Sequence, residues 1–274
     1  MHQEFFSPMA FDFLWESAGL GELPYPLRVR SHGATEDERV SLRHRVDIEL
    51  KARGIRDARG RIEPPVDEWL NLLARAPITL DALHIPEFQA HPVALLAAGD
   101  GRAAGVVAIQ NEDGIWLHET PADGLVSTIV DLLPGGRRGS EASVTLPLDE
   151  ALHTRPMRVP VAAGGLGGAE EKGRRAKRQS LSERATVDPR ETYALISGQP
   201  RLRGGQLAAN SRTQLGARQR SRVLGWFDTA TGRYLSLSRA GSDGREWVTV
   251  APADPMTLRT RLGEMVASVA ADTR

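Results

Sequence analysis

The sequence predicts an α+β fold, an antiparallel sheet carrying helices, on three observations. Apolar runs between Ile78 and His118 are joined by turns too short for the crossover helices of parallel strands. Helical spacing takes over in separate blocks before and after those runs. Finally, Gly101-Arg102, Trp116 and Pro121-Ala122-Asp123 recur without a gap 131 residues later as Gly232-Arg233, Trp247 and Pro252-Ala253-Asp254. Each copy reads strand, turn, strand, helix. The bland account is that Pro-x-Asp is a common helix start. The repeat reading gives one domain over 1–274 built as two pseudo-symmetric halves, about 1–135 and 136–274. Trp116 and Trp247 then serve packing at equivalent positions.

The aromatic-rich start, with Phe11, Phe13 and Trp15 at period two, reads as a strand over 10–16, against a competing helical spacing of Leu14, Trp15 and Ala18. Leu27-Arg28-Val29-Arg30 reads as a short alternating strand. Thr35 with Glu38 forms a capping-box pattern for a helix running to about Arg53 and stopped by Gly54. After the turn Asp57-Ala58-Arg59-Gly60, Pro64-Pro65 opens a second helix with Trp69, Leu72 and Leu73 inward, making an αα-hairpin on one side of the sheet. Strands are expected at 78–83, 93–97, 105–109 and 115–118, with Asn111-Glu112-Asp113-Gly114 as a tight turn. Asp123 is expected to cap a helix over 124–133. A strand is expected at 143–146, and a flexible segment near 162–180. The second half holds a helix around 190–197 and strands near 206–209, 223–227, 234–237 and 247–250. Asp254 caps a last helix with Leu258, Leu262, Met265, Val266 and Val269 inward.

The chain of 274 residues has zero formal net charge, which gives no global attraction to nucleic acid or anionic membrane. It contains no cysteine, excluding disulfides, thiolate metal sites and cysteine nucleophiles, and fitting a cytoplasmic protein. Met1-His2-Gln3-Glu4 lacks the basic start of a signal peptide, and no run is long and apolar enough to span a membrane. No catalytic constellation is found, and no cofactor or metal is called for. The histidines are scattered without His-Glu-x-x-His spacing and read as exposed or edge-strand residues. Gly164-Gly165-Leu166-Gly167-Gly168 lacks the Lys-Ser/Thr of a phosphate loop and reads as a linker.

Charge is unevenly placed. Between Ala76 and Pro134, Arg102 is the only basic side chain against eight acidic ones, while 201–222 holds six arginines and no acid. A basic run also lies at 172–178. These arginines support an alternative reading, a nucleic-acid-associated or regulatory protein. Aromatic interleaving and a recognition-helix pattern are both missing, so nucleic acid is not expected.

Several stretches together resemble a known family. They are Leu27-Arg28-Val29-Arg30, Thr35-Glu36-Asp37-Glu38-Arg39, Leu50-Lys51-Ala52-Arg53-Gly54-Ile55-Arg56-Asp57, Gly205-Gln206-Leu207-Ala208-Ala209, Gly232-Arg233-Tyr234, and Trp247 through Asp254. In order, spacing and total length the chain resembles the EspG family of actinobacterial type VII (ESX) secretion systems, apart from its glycine- and arginine-rich middle. The resemblance implies a central, mostly antiparallel sheet flanked by helical layers in two pseudo-symmetric halves. It also implies a cytoplasmic, non-catalytic chaperone that keeps helical PE–PPE heterodimers soluble before export, without inserting into a membrane. The family offers no short client motif. The polar hairpin near 214–222, the middle segment and the exposed parts of the last helix are nominated for client contact, with Gln214, Arg218 and Arg220 as polar anchors. Self-association is left open.

Overall fold

Phe5 and Phe6 close the first strand, β1 (Gln3–Phe6), and the chain turns at once into helix α1 (Pro8–Ala18). The Ser7 hydroxyl accepts from the Ala10 N–H at 3.1 Å, Pro8 sits in the first turn, and Gly19 ends the helix at φ +63°. The strand expected at 10–16 is therefore a helix. A strand would send neighbouring side chains to opposite faces, whereas the helix gathers Ala10, Phe11, Phe13, Leu14 and Trp15 into one buried cluster. The protein is described by a computed structural model covering residues 2–157, 188–213 and 215–271. The segment expected to be flexible, 162–180, and Gln214 lie outside the described residues.

Leu27-Arg28-Val29-Arg30 joins no ladder. The Gln110 side-chain amide takes both backbone groups of Arg28, accepting from its N–H at 2.8 Å and donating to its carbonyl. Thr35 does cap α2 (Glu36–Ala52): its hydroxyl accepts from the Glu38 N–H at 3.2 Å, and the Glu38 carboxylate reaches back to the Ala34 N–H at 2.8 Å. Helix α3 (Val66–Arg75) buries Val66, Trp69, Leu70 and Leu73, leaving Leu72 half-buried. Both α2 and α3 pack on α1, so this layer is a three-helix one and not the expected αα-hairpin.

The expected meander is present as β2 (Ile78–Ile85), β3 (Val93–Gly99), β4 (Ala104–Gln110) and β5 (Ile115–Pro121). Then come α4 (Leu125–Asp131), β6 (Val144–Pro147), α5 (Leu148–His153) and α6 (Pro189–Ser197). The chain continues through β7 (Arg203–Arg212), β8 (Arg218–Arg220), β9 (Leu224–Thr229), β10 (Gly232–Ala240), β11 (Glu246–Pro252) and α7 (Pro255–Ala271). The short strands β1 and β8 have no counterpart in the sequence reading. All the strands form one antiparallel sheet in the order β1-β5-β4-β3-β2-β7-β9-β10-β11-β6, with β8 paired to β7 beside that path. Strands from the two ends of the chain meet at β2 and β7, where Thr79 lies opposite Asn210.

The period-two alternation of the strands assigns the layers. Leu80, Ala82, Leu95, Ala97, Leu207, Ala209 and Leu224 point to one face, covered by α4 and α7. On α7 the expected stripe of Leu258, Leu262, Met265 and Val269 is buried, with Val266 partly so. On the other face, α1–α3 cover one flank through Leu96, Ala98, Val106 and Ala108. Helices α5 and α6 cover the opposite flank through Val144, Leu146, Tyr234, Val248 and Val250. Asp254 caps α7, accepting from the Thr257 N–H at 2.7 Å. Asp123 does not play that part: α4 starts at Gly124 without a side-chain cap.

Candidate functional site

Among the described residues, no helix covers the second face of the sheet along β2, β7 and β9, between its two helical flanks. The side chains that the register aligns there are Leu83 on β2, Gln206 on β7, and Phe227 on β9, with Gly225 supplying a bare patch of backbone. All four are only half-buried, although they sit on the middle strands of the sheet. A central strand normally hides such residues under a second layer. Its edges are built. Gln206 donates to the Tyr25 hydroxyl at 2.8 Å on one side. On the other, Phe227 stacks on Tyr234 with ring centroids 5.7 Å apart and carries the Arg201 guanidinium on its face. Burial pulls the Arg201 pKa below its ordinary value.

Beyond the end of β2, residues 86–92 form a loop with Phe88 at its exposed tip. Ile85, opposite Gly204, and Leu202 are exposed at the same end of the central strands. Phe88 is 76 % exposed, and its neighbour Gln89 holds the left-handed φ of +65° that non-glycine residues seldom adopt. The sequence reading nominated none of Ile85, Phe88 and Phe227. Phe88 had a usable signal, an aromatic side chain in a short Pro-flanked connection that no core claims.

Of the nominated anchors, Arg218 and Arg220 lie on β8, and Gln214 lies outside the described residues. Arg220 is tied inward. It donates to both carboxylate oxygens of Asp81, which is 1 % exposed, and at 2.9 Å to the Asn210 side-chain oxygen. Asn210 in turn donates to Asp81 at 2.8 Å. The Asp81 hydrogen bond holds the Arg220 guanidinium above its ordinary pKa. Arg218 is exposed and has no carboxylate partner among the described residues. Together with Tyr25, Leu73, Ala74 and Arg212, it lines a cleft of about 290 Å³.

Other arginines of 201–222 are also committed internally. Arg203 pairs with Asp228 at 2.6 Å, Arg222 with Glu246 at 3.1 Å, and Arg212 donates to the Ala74 carbonyl at 3.0 Å. This is the opposite of a stripe of free cations following a phosphate backbone. His84, expected to be exposed or on an edge, is instead buried in a central strand against Trp226. Burial first, and the Arg233 charge second, lower its pKa to about 4. His91 is exposed at an ion pair with Glu112, and His118 is half-buried. Among the described residues, no group of three or more His, Cys, Asp or Glu is placed to hold a metal, and no helix is long and apolar enough to cross a membrane.

This architecture is similar to a solved one, the Mycobacterium tuberculosis type VII secretion system chaperone EspG5 in its complex with the PE25–PPE41 dimer. The two share 14 % sequence identity with a TM-score of 0.66, over 98 % of this chain and 96 % of that one. No curated protein matches the chain. The EspG family model matches residues 7–264, nearly the whole of the sheet and its helices, and the chain belongs to the EspG family.

Proposed function

We propose that this protein is a cytoplasmic chaperone of a type VII secretion system that holds a helical PE–PPE-like pair soluble before export. The observation that carries the reading is the helix-free centre of the sheet, where Leu83 and Phe227 are half-exposed and Ile85 and Phe88 stand exposed at its end. An apolar strip between two helical walls accepts the apolar end of a helical client, removing from water surface that otherwise aggregates. Gln214, Arg218 and Arg220 are proposed as polar anchors along one edge. The role is one of binding and needs no catalytic group. We also read the halves 1–135 and 136–274 as pseudo-repeats of a single domain, since strands from each end of the chain fill one side of the sheet.

The test is co-expression with a PE–PPE-like pair encoded beside this protein, followed by size-exclusion chromatography. A stable complex is expected. Phe88→Asp and Ile85→Asp, both at exposed positions, should weaken it at least about tenfold while leaving thermal unfolding unchanged. The proposal fails if the intact protein forms no complex with such a pair, or if it retains DNA in preference to it.

A further inference from the structure

The β7–β8 ladder places Arg212 directly opposite Arg218, and Asn210 directly opposite Arg220. Side chains that face each other across an antiparallel pair share one side of it and lie within reach of each other, and like charges so placed repel. The nearest buried acid, Asp81, is already consumed by Arg220 and Asn210. Arg212 has one N–H directed at the Ala74 carbonyl, at the C-terminal end of α3, and the remaining donors of its fork are left over. Neither Arg212 nor Arg218 has a carboxylate partner among the described residues. Both arginines thus line the 290 Å³ cleft, and among the described residues their one side-chain hydrogen bond is from Arg212 to a neutral carbonyl. Pro24, Leu73, Ala74 and Ala76 form its apolar side, with the Tyr25 ring near Arg220, and the polar Thr79, Asn210, Ser211 and Gln219 complete the lining.

We infer that this cleft is a receptor site for the carboxylate of an acidic side chain that sits next to an apolar residue on a protein segment. Two planar forks converging from opposite strands match the paired oxygens of a carboxylate and relieve their own repulsion when one arrives. The apolar walls accept the neighbouring side chain. A nucleic-acid strand is a poorer fit, because tracking successive phosphates needs a line of free cations. Arg203, Arg220 and Arg222 are already paired with Asp228, Asp81 and Glu246. The inference deepens the anchor role proposed for Arg218, and because the cleft is tested without any client its failure is distinguishable from failure of the chaperone reading.

The experiment is fluorescence anisotropy on the full chain at physiological salt, with a labelled hexapeptide alternating glutamate and leucine. A version with glutamine for glutamate and a labelled oligothymidylate of matched charge serve as comparisons. Saturable binding of the acidic peptide is expected, at least about tenfold tighter than of the glutamine version, the factor one charge-assisted contact is worth. Arg218→Glu should abolish it, while Arg259→Glu, on the opposite face of the sheet, should leave it intact. Arg218 is exposed, so its replacement should not alter the circular dichroism spectrum or the unfolding midpoint. Equal binding of the glutamine peptide, or indifference to Arg218→Glu, would overturn the assignment. Tighter binding of the oligothymidylate that is lost in Arg218→Glu would overturn it in favour of a nucleic-acid site.

Discussion

The unit β4–β5–α4 and its counterpart β10–β11–α7 carry the same landmarks 131 residues apart, yet use them differently. Arg102 is exposed in a turn, its backbone N–H bonded to Asp100 at 2.8 Å. Arg233 is 1 % exposed, gripping both oxygens of Asp228 at 2.7 and 2.9 Å under the Trp226 ring. Asp254 caps a helix of 17 residues, whereas Asp123 precedes an uncapped one of 7. Trp116 packs on Phe5 of β1, while Trp247 donates to the Asp243 carboxylate at 3.3 Å. The outer strands match residue for residue, but the inner ones slip by one: Trp116 faces Ile109, and Trp247 faces Arg239. Repeated landmarks therefore fix the bounds of β5 and β11, but not where β4 and β10 begin. The work of each side chain is set by whichever partner arrives from elsewhere in the chain.

The sharpest way to break this contrast is to remove the two arginines. Arg233→Ala should cost about 3–5 kcal/mol in urea unfolding, because it strips a partner from a buried carboxylate. Arg102→Ala should stay within about 0.5 kcal/mol. Equal costs would show the units to be alike after all.

Acidification gives the next largest effect. Arg233 acts across Trp226 on His84, for which Arg102 has no equivalent. The unfolded chain binds a proton at His84 near the ordinary pKa of 6.5, and the folded chain only near 4. The His84 contribution to stability should thus fall as pH drops from about 6.5 to 4, by at most about 3 kcal/mol. His84→Leu should flatten that slope, as read from unfolding midpoints across the window.

The smallest contrast lies at the helix caps. Asp254→Ala should cost about 1 kcal/mol at neutral pH, and Asp123→Ala should be within the noise of a thermal melt. The Thr257 backbone N–H lowers the Asp254 pKa below 3.8. The cap's contribution is therefore complete above that value and lost as pH falls through the lowered one. An Asp254→Ala penalty that persisted at pH 2 would separate capping from charge.

Much of this was legible beforehand. The strands of the meander, the Thr35–Glu38 box, the α7 stripe and the turn at Asn111 all depend on contacts within a few residues, which spacing reports directly. The misses share a cause. The helix α1 competed with a strand over the same aromatics, and the nearby Ser7-Pro8 and Gly19 signals should have outweighed period two. Leu27 to Arg30 alternates like a strand, but the Arg28 backbone is met by a side chain 82 residues away. Arg220, nominated as a polar anchor, also donates to Asp81 at a separation of 139 residues, a partner that spacing does not report. The open centre, with Leu83, Gln206 and Phe227, was invisible because each residue looks like an ordinary strand position.

By itself, the sequence determined the antiparallel α+β class, the matched strand–turn–strand–helix units and the family, since these follow from periodicity, turns and order along the chain. Only the tertiary structure decided that β2 and β7 join the two sides into one sheet. It alone decided which arginines are spent on buried carboxylates, and that among the described residues helices cover both flanks of one face but not its middle. Those outcomes depend on which distant segments meet. Pairing of a buried charge or exposure of a central strand is a property of the meeting, and no local pattern encodes it.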